Sequence, residues 1–199
     1  MKPYSESCER NREPILGVLR EVLPQQGTVL EIASGTGQHA VHFGTALPHL
    51  TWQTSELPGQ HDAVAAWLAE AQLPNVLPPV ALDVHQSAWP VERAEAVFAA
   101  NLLHILSWEG VESMFEGVGR VLAPGGVLCA YGPFNYGGGY TSDSNARFDD
   151  WLKARDPRSG IRDFEAIEAL ARARGLSLFH DFAMPANNRT LVWRKVPCG

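Results

Sequence analysis

The run Val29-Leu30-Glu31-Ile32-Ala33-Ser34-Gly35-Thr36-Gly37-Gln38-His39-Ala40 limits what this chain can fold into more than any other segment. An apolar stretch suited to a buried strand breaks into small residues and then resumes as a helix. Gly35 and Gly37 lack a Cβ, so the chain can turn there with positive φ and a ligand can touch the backbone. Glu31 stands inside the strand, ahead of the glycines, where its carboxylate can tie down loop N–H groups or meet a positively charged ligand. Strand, glycine turn and helix in that order read as a nucleotide-binding turn. Residues 35–40 also satisfy the degenerate dinucleotide fingerprint, and any tight strand-to-helix turn shares much of the pattern, so the rest of the chain must decide.

The rest of the chain supplies an alternation. Residues 1–13 read as a polar N-terminal arm, followed by a leading helix over 14–23 with Pro14 in its first turn and Pro24 closing it. Strands are expected over 28–33, 51–56, 76–84, 94–101 and 127–131, with helices over 38–47, 60–71 and 110–122 between them. Short apolar strands alternating with amphipathic helices mean a parallel sheet covered on both faces. Residues 132–144 are rich in Gly, Tyr and Ser and too long and too flexible for an ordinary connection, so they read as either a functional loop or a disordered one, the functional reading being favoured. With a helix over 145–155, they make residues 132–160 an insertion over the site. A helix over 163–174 with Asp163 as N-cap follows, and strands over 176–184 and 189–196 form an antiparallel hairpin.

Composition narrows the partners. With 199 residues and 45% hydrophobic content, the chain suits one well-buried α/β domain. Lys+Arg 16 against Asp+Glu 22 gives a net charge of −6 without a basic block, which argues against nucleic acid. No apolar run approaches membrane-spanning length, and the first residues lack the hydrophobic stretch of a secretory signal, so a cytoplasmic protein is expected. Cys8, Cys129 and Cys198 are scattered and read as thiols. His39 and His42 lie one helical turn apart, but without a third ligand they do not make a metal site. Trp108 and Trp151 read as packing anchors.

Taken together, the glycine loop, Glu56 closing the second strand, Leu82-Asp83-Val84, the Ala123-Pro124-Gly125-Gly126 turn and the terminal hairpin resemble a class I S-adenosylmethionine-dependent methyltransferase. More narrowly, Glu9-Arg10-Asn11-Arg12-Glu13-Pro14-Ile15-Leu16, Gly132-Pro133-Phe134-Asn135, Ile161-Arg162-Asp163-Phe164-Glu165 and Met184-Pro185-Ala186-Asn187-Asn188 are similar to the methyltransferase-like family called domain of unknown function 938. The resemblance implies a Rossmann-like sandwich: a mostly parallel seven-stranded sheet, a C-terminal antiparallel hairpin and helices on both faces. It also implies S-adenosylmethionine as cofactor, S-adenosylhomocysteine as product and a loop of Glu31, Ala33, Ser34, Gly35, Thr36 and Gly37 against the methionine end. Ala33 stands where the superfamily usually has its first glycine. By the same resemblance Glu56 meets the ribose hydroxyls, Asp83 the adenine amino group, Val84 the ring, and Asn101 the amino-acid end or the incoming acceptor.

The methyl group on a sulfonium is already activated, so an acceptor held in line needs mainly positioning. A hydroxyl acceptor would also need a base, for which His104 just past the fourth strand is the candidate, the alternative being a packed core histidine. Arg10, Asn11 and Arg12 of the arm, with Phe134, Tyr136 and Tyr140 of the loop, are expected to form a lid over an acceptor pocket, where arginine would favour an acceptor bearing a carboxylate or a phosphate; the alternative for Arg12 is to begin the leading helix or pair with Glu9. The acceptor is expected to be a small molecule or a peptide side chain. Two rival readings stand beside this one: an NAD(P)-dependent oxidoreductase, because Glu56 follows the glycines at dinucleotide spacing, and a non-catalytic cofactor-binding protein.

Overall fold

The computed structural model describes residues 2–197; the expectation for Cys198 falls outside them. In chain order the elements are α1 (Glu6–Val22), β1 (Gly27–Glu31), α2 (Gln38–Ala46), β2 (Leu50–Glu56), α3 (Asp62–Ala71), β3 (Val76–Ala81), β4 (Ala94–Ala100), α4 (Trp108–Val121) and β5 (Leu122–Gly132). They continue with β6 (Phe134–Asn135), α5 (Asp143–Arg155), β7 (Arg162–Asp163), α6 (Phe164–Ala173), β8 (Leu176–Met184) and β9 (Asn188–Lys195). Seven strands form one sheet in the order β3-β2-β1-β4-β5-β9-β8, with β1 to β5 parallel and β9 antiparallel to both its neighbours. This is the Rossmann-like methyltransferase sandwich expected above. The strand order reverses at β1, which pairs with β2 on one side and β4 on the other, and the crevice at such a reversal is where open α/β sheets bind ligands.

Alternate residues of a strand point to opposite faces, and here each face has its own core. Leu30, Ile32, Val97 and Leu128 pack with Met114 and Phe115 of α4 and Ile167 of α6. Val29, Ala96, Phe98 and Cys129 pack with Ile15 and Leu19 of α1 and Phe43 of α2. Among the described residues no helix is long and apolar enough to cross a membrane.

Four local readings change. Helix α1 starts eight residues before Pro14, because the Ser5 side chain caps it at the Cys8 N–H and the Glu9–Arg12 ion pair supports its first turns. Pro14 has no N–H for the Arg10 carbonyl. Tertiary contacts on either side offset that loss: Asn11 to His39 before it, Ile15, Leu16 and Leu19 in the core after it. The Ala123-Pro124-Gly125-Gly126 turn is a bulge inside β5, where the partners of Ala94 and Ala96 jump from Leu122 to Val127. The Gly/Tyr loop is ordered: β6 pairs with β7, and Tyr136 and Gly139 exchange backbone hydrogen bonds around Gly137 and Gly138. Trp151 is half exposed and stacks on Phe148, so it is no core anchor.

Helix α4 lies so close to Trp89 that a Cβ on Gly117 would fall 2.0 Å from the indole ring. Gly117→Ala should therefore lower stability by about 1–3 kcal/mol through overpacking. Gly17→Ala, on the exposed face of α1 with no atom within 4 Å of its Cβ, should raise it by about 0.5–1 kcal/mol. Urea unfolding of both variants checks the pair.

Candidate functional site

The glycine loop is suspended between two strands. The Ile32 N–H donates to Phe98 of β4 at 2.9 Å and the Ser34 N–H to Ser55 of β2 at 2.8 Å, so the chain leaves the sheet at the reversal point. Ala33, Gly35 and Gly37 have φ of 56°, 59° and 87°, and the Gly37 N–H closes the turn on the Ser34 carbonyl at 2.9 Å. The alanine holds a left-handed conformation that costs an L residue about 1–2 kcal/mol. The two glycines serve different ends. A Cβ on Gly37 would lie 3.1 Å from Val64 Cα of α3, whereas one on Gly35 would meet no protein atom within 4 Å. Gly37 lets helices approach; Gly35 keeps a space open. The Ser34 hydroxyl accepts from the Ser55 N–H, and the Thr36 hydroxyl accepts from the Gln38 N–H and donates to the Gln38 side chain.

Two acids hold this loop. Glu31 is buried, its carboxylate accepting from the Trp52 indole at 3.0 Å while its carbonyl accepts from the Ser55 hydroxyl at 2.6 Å. Burial pushes its carboxyl up to about 7, against the pull of hydrogen bonds from Trp52 and Ser34. Glu56 accepts from the Gly35 N–H and from the Leu57 N–H, both at 2.9 Å. Each carboxylate oxygen can accept a second hydrogen bond. Glu56 lines a cavity of about 420 Å³ together with Ala33, Asp83 and Val84, and Leu102 and Ile105 add apolar surface. Asp83 also accepts from the His85 N–H at 3.0 Å. An apolar slot with carboxylates in its lining suits a flat heterocycle that carries N–H and O–H donors at its edges.

A second cavity of about 620 Å³ opens beside Asn101, which directly follows β4 with φ of 55° and donates its N–H to Tyr131 at 2.8 Å. Arg10 and Asn11 of α1 line it, as do Pro133, Asn145 and Phe148. Asn11 is fixed by the ring of His39 at 2.7 Å. Burial lowers His39 to about 4, so the ring is neutral and its Nε2–H donates to Asn11. Upstream, the Gln38 side chain accepts from the Ser5 N–H at 2.5 Å and donates to the Ser5 carbonyl at 3.3 Å. The start of α1 is thus clasped to the first turn of α2, which the glycine loop leads into.

The expected site residues separate. Ala33, Glu56, Asp83 and Val84 meet in the first cavity, and Asn11 and Asn101 in the second. His104 lies outside both linings, buried edge-on against Phe148, with burial and then Arg162 lowering it to about 4. Arg12 pairs with Glu9 at 2.5 Å instead of facing the second cavity. Phe134 is a core residue, and Tyr136 stacks on Phe164 and donates to Asp181 at 2.8 Å. Tyr140 donates to Asp149. The expected lid is therefore replaced by a wall of α1 and α5. Asn145 and Phe148 in that wall escape a reading by motif, whereas Arg10 belongs to the Glu9-Arg10-Asn11-Arg12 motif and reaches the cavity from α1. Among the described residues no three His, Cys, Asp or Glu side chains gather as a metal would need.

The buried groups predict a pH signature. His39 and His104, lowered to about 4, take up protons on unfolding between pH 4 and 6.5, so their contribution to stability rises with pH across that window. Glu31, raised to about 7, loses its proton on unfolding between about pH 4.5 and 7, so its contribution falls with pH there. Glu31→Gln should steepen the rise of stability from pH 4.5 to 6.5 by about one proton per molecule, read by urea unfolding at a series of pH values.

Solved structures share this architecture. An O-methyltransferase family protein from Burkholderia thailandensis superposes with a TM-score of 0.83 at 18% identity, over 98% of this chain and 59% of its own. An O-methyltransferase family 2 protein from Planctomyces limnophilus, in complex with apigenin, gives 0.80 at 14% over 96% and 60%. CalO1, a methyltransferase in calicheamicin biosynthesis with S-adenosylhomocysteine bound, gives 0.75 at 17% over 95% and 54%. The chain thus spans little more than half the length of these neighbours, and at such identities the likeness is one of fold. The family model described as protein of unknown function DUF938 matches residues 2–195, and the chain belongs to that family.

Proposed function

We propose that this protein is an S-adenosylmethionine-dependent methyltransferase, of the methyl-transferring class of enzymes, acting on a small molecule or a peptide side chain. One observation carries the reading: Ala33, Glu56, Asp83 and Val84, from three separate strand ends, line a single cavity beside the glycine turn at the sheet's reversal point. The open space over Gly35 is where a Cβ would intrude on a ligand. The neighbours' names add support, since one holds S-adenosylhomocysteine and another is in complex with apigenin. A cytoplasmic setting agrees with Cys8 and Cys129 being free thiols.

The residues fit that cofactor in kind. Glu56 would accept hydrogen bonds from the ribose hydroxyls, and Asp83 and Val84 would hold the adenine amino edge and ring. Glu31 to Gly37 would cradle the methionine end, where a buried carboxylate suits a cation. When bound, the cofactor supplies a methyl group already activated for transfer. The protein then has to present an acceptor atom, which falls to Asn101 and the walls of the second cavity. His104 lies outside both cavities and burial holds it unprotonated, so catalysis here rests on positioning and not on a base at His104.

Transfer of a labelled methyl group from S-adenosylmethionine to a component of a cell extract tests the activity. Gly35→Val should abolish S-adenosylhomocysteine binding, by calorimetry, in a protein that still folds. Glu56→Ala should weaken it by about 1–3 kcal/mol, the scale of charge-assisted hydrogen bonds to a buried ligand. Undiminished affinity in both variants would place the cofactor elsewhere.

A further inference from the structure

We infer that the methyl acceptor carries a negative charge, a carboxylate or a phosphate, and that Arg10 recognises it at the mouth of the 620 Å³ cavity. This rests on the methyltransferase reading above and adds the class of acceptor. The molecule as a whole is acidic, at −6, yet among the described residues Arg10 is the one charged side chain in the lining of this cavity. Everything else polar in that lining is an amide or a hydroxyl, such as Asn11, Asn101, Ser144, Asn145 and Asn188. A cationic amine would lose hydration there without meeting a carboxylate, which is unfavourable. An anion would meet a guanidinium and several amide donors.

Two further features favour Arg10 as the contact. Its side chain is 68% exposed and touches Glu6 at 3.3 Å, itself 82% exposed. An ion pair so open to water is worth well under about 1 kcal/mol, so the guanidinium can leave it for a ligand. Arg189, on the neighbouring hairpin, is by contrast held by Asp181 at 2.7 Å. The opposite wall is rigid: Asn145 donates to the Asn187 carbonyl at 3.2 Å and Asn187 to the Ser144 hydroxyl at 3.3 Å, joining α5 to a hairpin turn in which Ala186 and Asn187 hold φ of 57° and 58°. A fixed wall of amides facing one adjustable cation sorts acceptors by charge, and Phe148 and Tyr131 give the body of the molecule an aromatic surface.

The probes are 4-hydroxyphenylacetate and tyramine, which share a ring and a hydroxyl and differ in carrying a carboxylate or an ammonium. Binding of each to the full chain is measured by NMR titration, with and without S-adenosylhomocysteine. The carboxylate should bind about tenfold tighter or more, Arg10→Gln should erase the difference, and Arg10→Lys should keep part of it. Equal or tighter binding of tyramine, a preference that survives Arg10→Gln, or no binding of either probe would overturn the inference. Failure of S-adenosylhomocysteine to bind in the same titrations would instead overturn the methyltransferase reading, and the charge preference would still be read from the arm without it.

Discussion

The structure depends on a buried carboxylate. Glu31 ends β1 with almost no solvent access, and the Trp52 indole is its main hydrogen-bond donor. Trp52 itself sits in the core under Phe43 and Phe98, so the acid is tied to the packing of α2 and of β4. The same stretch of β2 grips the loop that follows, through Ser55 to Glu31 and Ser34 and through Glu56 to Gly35. Loop conformation, strand register and aromatic core are therefore one unit. The strained φ of Ala33 persists because hydrogen bonds on both sides of it, from Ile32 and from Ser34, fix the chain's course.

Around that unit the site divides in two. The reversal of strand order leaves room at the C-terminal ends of β1 and β4, and Asn101 stands at the boundary with a left-handed backbone of its own. The narrower cavity is apolar with carboxylates in its lining; the wider one is amide-rich with a single guanidinium. Helix α1 is tied to α2, the helix that the glycine loop leads into, since Gln38 at its start holds Ser5 and His39 holds Asn11. A ligand that moves the loop would move the wall of the wider cavity with it.

The sheet was legible because its signals are local. Apolar runs of strand length, glycines at the turns and amphipathic spacing between them depend on neighbours in sequence, and they place β1 to β5, β8 and β9 within a few residues. The acids at the ends of β1 and β2 and beyond β3 follow from the same count. The wall of the wider cavity was not legible in this way. Pro14 reads locally as a helix start, and only the tertiary contacts of Asn11 and Ile15 carry α1 through it. Phe134 and Tyr136 look like exposed loop aromatics until the pairing of β6 with β7 buries the first and the stack on Phe164 half-buries the second. Asn145 belongs to no motif, and it shares a cavity with Arg10 only because two distant segments fold over the same strand ends.

The central claim is that the glycine loop, Glu56 and Asp83 form a cradle for S-adenosylmethionine and not for a dinucleotide. Calorimetric titration of the wild-type protein with S-adenosylhomocysteine and, separately, with NADH tests it most directly. Saturable one-to-one binding of S-adenosylhomocysteine with no heat of binding for NADH is the predicted result; binding of NADH with none of S-adenosylhomocysteine would contradict it.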